Sequence, residues 1–127
     1  MAETKPHLYT TIHLFQKICE VIAGIIPSSA GKEYKVLDCP AGAGALAQWL
    51  HEEKKVSVEA AEYDVAKWTY QPLQCKFTDL SDKIPFPDNT FDLVVCMEGL
   101  KHVPNVQKAL SEMRRVAKPK AKIVISI

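Results

Sequence analysis

Hydrophobic and polar positions along this chain alternate between two periods. Apolar side chains at Leu8, Ile12, Phe15, Cys19 and Ile22 recur three or four apart, so His7 to Ile26 reads as a helix with one apolar stripe. Pro27-Ser28-Ser29 and Gly31 then stop it. "YKVLDC" (34–39) is a short aliphatic run and reads as a strand; Ala45 to Glu53 is rich in helix formers. "KVSVEAAEY" (55–63) is a second strand and "LQCKFTD" (73–79) a third. About ten residues separate those two, close to the minimum for a crossover, so any helix between them is short or irregular. "SDKIPFPDN" (81–89) is a turn region. "FDLVVCME" (91–98) is a continuous apolar run, as in a central parallel strand covered on both faces. Val106, Ala109, Leu110, Met113 and Val116 restore the helical period, and "AKIVISI" (121–127) is the last strand. Strands interleaved with helices imply an α/β fold with a mainly parallel five-stranded sheet and right-handed crossovers.

Composition narrows the function classes. The chain has 127 residues, enough for a single core and too few for two. Its formal net charge is +1, so no bulk attraction draws it to nucleic acid or an anionic membrane. It contains no run of about 18 apolar residues that would cross a bilayer. "MAETKPHLYTTIHLF" lacks the basic start and continuous apolar stretch of a secretory signal. Cys19, Cys39, Cys75 and Cys96 include no Cys-x-x-Cys, which speaks against zinc or a disulfide framework. Reduced cysteines in a cytoplasmic protein without a metal site are expected.

The candidate chemistry begins at "VLDCPAGAGALAQWL" (36–50), which runs strand, turn, helix. Gly42 and Gly44 lack Cβ, so backbone there can adopt φ > 0 and approach a ligand closely. The helix that follows offers free N–H groups. Gly42-x-Gly44-x-x-Ala47, with Glu62 twenty residues after Gly42, fits the dinucleotide pattern, where a carboxylate holds a ribose. A strand-to-helix turn with no ligand is the competing account.

The rest of the chain bears on that choice. Asp38-x-Pro40-x-Gly42-x-Gly44 resembles motif I of the class I S-adenosylmethionine-dependent methyltransferases. "IPFPDNTFDLVVCMEGLKHVPNVQKALSEMRRVAKPKAKIVISI" (84–127) is similar to the matching stretch of the type 11 methyltransferase domain, with its PF-x-D-x-x-FD turn, E-x-x-x-H element and R-R-V helix end. The resemblance covers residues 34 to 127. It implies a Rossmann-like three-layer sandwich of strand order 3-2-1-4-5, in one domain spanning 1–127 with an N-terminal helix (1–30) and a core (34–127). It also implies that the usual last two strands are lacking. Pro40 departs from the first glycine of the motif and stiffens the turn. Lys120-Ala121 stands where the family has Gly-Gly, so a glycine-type turn before the last strand is not expected.

Roles carry over with the resemblance. S-adenosylmethionine is the implied cofactor, S-adenosylhomocysteine its product, and the acceptor an unidentified small molecule. Asp38 would lie near the methionine end, directly or through water. The backbone of Ala41, Gly42 and Gly44 would pack against the cofactor. Glu62 would accept both ribose hydroxyls, since a carboxylate can take two hydrogen bonds at once; Asp64 is its competitor. Asp79 and Leu80 would meet the adenine, and Glu98 and Gly99 would border the methyl-donor end. His102 is the one candidate general base, and a surface or helix-capping role also suits it. Asp92 reads as structural, Arg114 and Arg115 as partners of the helix dipole, and Trp49, Trp68 and Tyr70 as packing residues. "KIVISI" on an open sheet edge is a pairing hazard, from which a homodimer through 122–127 is expected. A non-catalytic nucleoside-binding or scaffold module and a nicotinamide-dependent oxidoreductase are the alternative functions.

Overall fold

A computed structural model describes the backbone of residues 6–127 and the side chains from Leu14 onward. The stripe positions Leu8 and Ile12 therefore lie outside the described side chains. The elements are α1 (Pro6–Ile25), β1 (Lys35–Asp38), α2 (Ala45–Trp49), β2 (Ser57–Glu62), β3 (Cys75–Phe77), β4 (Phe91–Met97), α3 (Val106–Val116) and β5 (Ala117–Ser126). They form one sheet of order β3-β2-β1-β4-β5, and every pairing is parallel. This is the Rossmann-like methyltransferase order.

Alternation along the central strands sorts side chains onto two faces. On β1, Val36 faces Ile18, Ile22 and Ile26 of the α1 segment together with Leu46 and Leu50. Leu37 faces Ala109, Met113 and Val116 of α3. On β4, Leu93 and Val95 join the first cluster, Val94 and Cys96 the second. Helices cover both faces, so the central strands read as unbroken apolar runs. Cys39 and Cys96 are buried, and all four thiols are free.

The crossovers are less regular than the periodicity suggests. After five α-helical residues, α2 widens into a π turn over Leu50–Lys54, closed by Lys55 at φ 57°. The β2–β3 connection holds only a single 3-10 turn, Val65–Lys67, in line with its short spacing.

β5 begins four residues earlier than expected. Its pairing with β4 is irregular: from Phe91↔Ala117 to Leu93↔Lys122, β4 advances two residues and β5 five. The extra residues are absorbed as a bulge. Lys120 takes φ 73° there, so the glycine conformation occurs after all, without glycine. For a non-glycine residue this costs roughly 1–2 kcal/mol, offset by the pairing on either side. The face alternation of β4 also breaks at this point, since Phe91 packs with α3 although Leu93 faces the other way. Asp92 sits in the break. Its carboxylate accepts the Lys35 N–H at 2.9 Å and pairs with Lys118 Nζ at 3.1 Å, the structural role expected of it.

The turn before β4 is held by Arg115. Its guanidinium donates to the carbonyls of Ile84 (2.7 Å) and Phe86 (3.0 Å), to Asp88 (2.7 Å) and to both oxygens of Glu112. Glu112 in turn accepts the Ile84 N–H at 2.7 Å. Arg115 thus does more than favour a helix dipole: its planar fork replaces the backbone pairing that this proline-rich turn cannot make for itself. Arg115→Lys should lose about 1–3 kcal/mol of stability, because one ammonium cannot satisfy both carbonyls and the carboxylates. Urea unfolding of the two proteins measures this, and equal midpoints would refute it.

Candidate functional site

The carboxyl ends of β1, β2 and β4 converge, and a parallel sheet opens its clefts at such ends. β1 stops at Asp38, and the chain turns through Pro40 to Gly44. Gly42 and Gly44 both have positive φ, 57° and 109°, but for different reasons. A Cβ on Gly42 would meet nothing within 4 Å; its conformation turns its N–H toward β2. A Cβ on Gly44 would sit 3.0 Å from the Trp68 ring and 3.0 Å from Tyr70 Cβ. Gly44 therefore packs against the 68–70 segment, while Ala41 and Gly42 line a cleft. Trp68 and Tyr70 support the turn from behind. Thr69 secures them there, its N–H and its hydroxyl both donating to the Ala43 carbonyl at 3.0 Å.

Glu62 ends β2 and is buried, with 6% of its surface exposed. Its Oε1 accepts the Gly42 N–H at 2.8 Å and its Oε2 the Asp64 N–H at 3.0 Å. Each oxygen keeps a lone pair for a further donor. Two adjoining clefts meet at this carboxylate. The larger, about 410 Å³, is lined by Glu62, Asp64, Thr78, Asp79, Leu80, Gly99 and His102 among others. The smaller, about 290 Å³, lies along the glycine turn, with Leu46 and Met97 as its apolar wall. Pro40, Glu62 and Lys67 line both. Asp64 joins the larger cleft alone, which favours Glu62 as the shared acceptor.

Three of the candidate residues line neither cleft: Gly44, packed on the 68–70 segment, Asp38 and Glu98. Asp38 is buried beneath the turn and lines neither cleft. Neither of its oxygens has a hydrogen-bond partner among the described residues. Burial pushes its carboxyl up to about 8; the charge of Glu62 adds to this, and the nearby Ala47 amide, short of full hydrogen-bond geometry, partly offsets it. Glu98 also lines neither cleft. It adopts φ 60°, pairs with Lys101 at 2.8 Å and accepts from the Ser126 hydroxyl at 3.2 Å. The Lys101 bond, with help from Ser126, holds its carboxyl below the ordinary range. Its neighbour Gly99 approaches Pro40 so closely that a Cβ would lie 2.5 Å from the proline ring.

Asp79, Leu80 and His102 are at the larger cleft. One oxygen of Asp79 accepts the Ser81 N–H at 2.8 Å, and Leu80 is buried beside it. His102 is exposed at the rim, in the 3-10 turn Leu100–His102. Periodicity missed Lys67, Tyr63 and Thr78, because none of them belongs to an apolar stripe. Their one sequence signal is position: each lies within a few residues of a strand's carboxyl end. Thr78 is 3% exposed, and its hydroxyl lacks a partner among the described residues.

A family model described as a methyltransferase domain matches residues 37–125. The chain belongs to this family. Over 102 residues it is 33% identical to the ubiquinone/menaquinone biosynthesis C-methyltransferase of Burkholderia multivorans, a match covering 72% of this chain and 42% of the relative. An uncharacterised protein of Methanocaldococcus jannaschii is 33% identical over 96 residues, covering 76% and 41%. Among solved structures, an S-adenosylmethionine-dependent methyltransferase from Aquifex aeolicus superposes with TM-score 0.65 at 26% identity, covering 84% of this chain and 61% of that one. A Galdieria sulphuraria structure reaches 0.72 at 21% identity, covering 90% and 46%, a likeness of fold. The chain spans about two-fifths of the length of these curated relatives. Members of the family use S-adenosylmethionine. No helix among the described residues is long and apolar enough to cross a membrane.

The site fits that cofactor. A buried carboxylate with spare lone pairs faces both clefts, a cradle lies open at Gly42, and Asp38 and Thr78 present buried polar atoms without partners. The free chain should show the cost of Asp38. Its folded-state pKa, about 8, lies above the ordinary 3.8, so the folded state binds the proton more tightly. The stabilisation is complete below about pH 4 and is lost as pH rises through about 8. Asp38→Asn, which mimics the protonated acid, should gain on wild type by up to about 1.4 kcal/mol for each pH unit crossed in that window. Denaturation of both proteins between pH 5 and 8 tests this, and a pH-independent difference would contradict it.

Proposed function

We propose that this chain binds S-adenosylmethionine across the two clefts and serves methyl transfer to a small-molecule acceptor. The observation that carries the reading is Glu62, a buried carboxylate fastened by two backbone amides at the junction of the clefts, with acceptor capacity left for a ribose diol. In this reading Ala41 and Gly42 give backbone contact in the smaller cleft, and Asp79 and Leu80 meet the adenine in the larger. Thr78 offers its unpartnered hydroxyl. Asp38 lies behind the turn and acts on the ligand only through it or through water.

When bound, the cofactor supplies a methyl group already activated on a sulfonium, so the chain's task is alignment. Gly99, packed against Pro40, lines the larger cleft, and its lack of a side chain keeps that wall flat. His102, at the rim, is the residue available to take a proton from an acceptor hydroxyl or acidic carbon. The Burkholderia relative's name gives a quinone-pathway carbon as its methyl acceptor; for this chain the acceptor class goes no further than a small molecule. Self-association through β5 belongs to the same reading. β5 pairs only with β4 among the described residues, and its Ile123, Val124 and Ile125 are half-buried.

Isothermal titration with S-adenosylmethionine, S-adenosylhomocysteine and NAD is the test. The first two should bind and NAD should not. Glu62→Ala should weaken the first two by about tenfold or more, the loss of a charge-assisted acceptor. A folded chain that binds neither would sink the proposal and leave the glycine turn as architecture alone.

A further inference from the structure

The two clefts differ in charge. Three carboxylates line the larger one: Glu62, Asp64 and Asp79. Such a lining suits hydroxyls and amines and repels an anion. The smaller cleft has Glu62 as its one carboxylate and is otherwise walled by backbone, Ala43, Leu46 and Met97. Lys67 lines both, and it is the one lysine or arginine to line either among the described residues. It closes the 3-10 turn Val65–Lys67, with its N–H held by the Asp64 carbonyl at 3.0 Å, so its backbone position is set. Its side chain is exposed, and its ammonium makes no ion pair or hydrogen bond among the described residues, although acidic groups lie on the same walls.

An unpaired cation between a strongly acidic pocket and a less acidic one sorts a ligand by orientation. A bipolar molecule lowers its energy by putting its diol and amine in the larger cleft and its anionic end toward Lys67. We infer that Lys67 is a specificity-determining residue of this site: its ammonium pairs with the amino-acid carboxylate of the bound nucleoside, selecting S-adenosyl amino acids over nucleosides without that carboxylate. The inference rests on the S-adenosylmethionine reading above and deepens it. No strand or helix of the core depends on Lys67, so its replacement tests the ligand contact rather than the fold.

Two ligands that share adenosine and a thioether separate the outcomes. S-adenosylhomocysteine carries the amino-acid end; 5′-methylthioadenosine lacks it. Wild type, Lys67→Met and Lys67→Arg are titrated with each, with thermal melts to verify folding. Wild type should bind S-adenosylhomocysteine more tightly. Lys67→Met, which keeps the apolar stem, should weaken that ligand about tenfold, equivalent to roughly 1.4 kcal/mol, and leave 5′-methylthioadenosine within about twofold. Lys67→Arg should recover most of the loss, and added salt should erode the wild-type preference. If Lys67→Met weakens both ligands alike, or neither, the inference is overturned while cofactor binding stands. If wild type binds neither nucleoside, the S-adenosylmethionine reading itself fails and this inference falls with it.

Discussion

The bond from the Gly42 N–H to Glu62 Oε1 joins the ends of two neighbouring parallel strands, and the upper half of the molecule is organised around it. β1 and β2 pair in register as far as Asp38↔Ala60, and β2 runs on two residues to Glu62. The link acts together with the bonds from the Ala41 N–H to the Ala61 carbonyl and from Thr69 to the Ala43 carbonyl to hold the turn over the sheet. The link needs a residue that tolerates positive φ at 42 and a buried acceptor on β2. Gly42 and Glu62 supply them, twenty residues apart. The same carboxylate also takes the Asp64 N–H, and the Glu62 carbonyl accepts the Thr78 N–H, so the exit of β3 is tied to the same point. Breaking such a bond in a buried setting leaves a donor or acceptor uncompensated, which costs more than forming it yields.

Satisfied and unsatisfied groups separate along the strands. At the amino end of β4, Asp92 holds Lys35 and Lys118, and Arg115 fills the carbonyls of the preceding turn. At the carboxyl end, three buried side-chain oxygens lack partners among the described residues: two on Asp38 and one on Thr78. Natural cores rarely leave such atoms orphaned. Both residues lie at the carboxyl end of the sheet, Asp38 beneath the glycine turn and Thr78 on the wall of the larger cleft. The strain at Glu98 also belongs to the cleft end, where its positive φ delivers Gly99 against Pro40.

Much of this was legible in the sequence, for a definable reason. A strand covered on both faces must be apolar throughout, so "FDLVVCME" and "YKVLDC" declared themselves. A helix packed on one side must repeat every three or four residues, so α1 and α3 did too. Glu62 was legible from its place twenty residues after Gly42 at the end of a strand, and the fold joins the two by a hydrogen bond. The motif resemblance supplied the strand order and the cofactor class, which periodicity alone does not carry. The start of β5 was not legible. Its first residues pair across a bulge, and Lys120 accepts a conformation that local preference assigns to glycine, because the pairing of Ala117 and Lys122 on either side outweighs that preference.

The sequence by itself determined the alternating elements, the parallel sheet, the glycine turn and the carboxylate that answers it. These follow from side-chain period and backbone freedom, which are local properties of the chain. The tertiary structure alone decided that Asp38 is sealed beneath the turn, that Gly44 faces Trp68 and Tyr70, that Glu98 is spent on Lys101 and Ser126, and that Lys67 lies between the two clefts. Burial, partnering and cleft walls are set by which segments meet in space. Residues brought together from different crossovers leave no period in the chain to announce it.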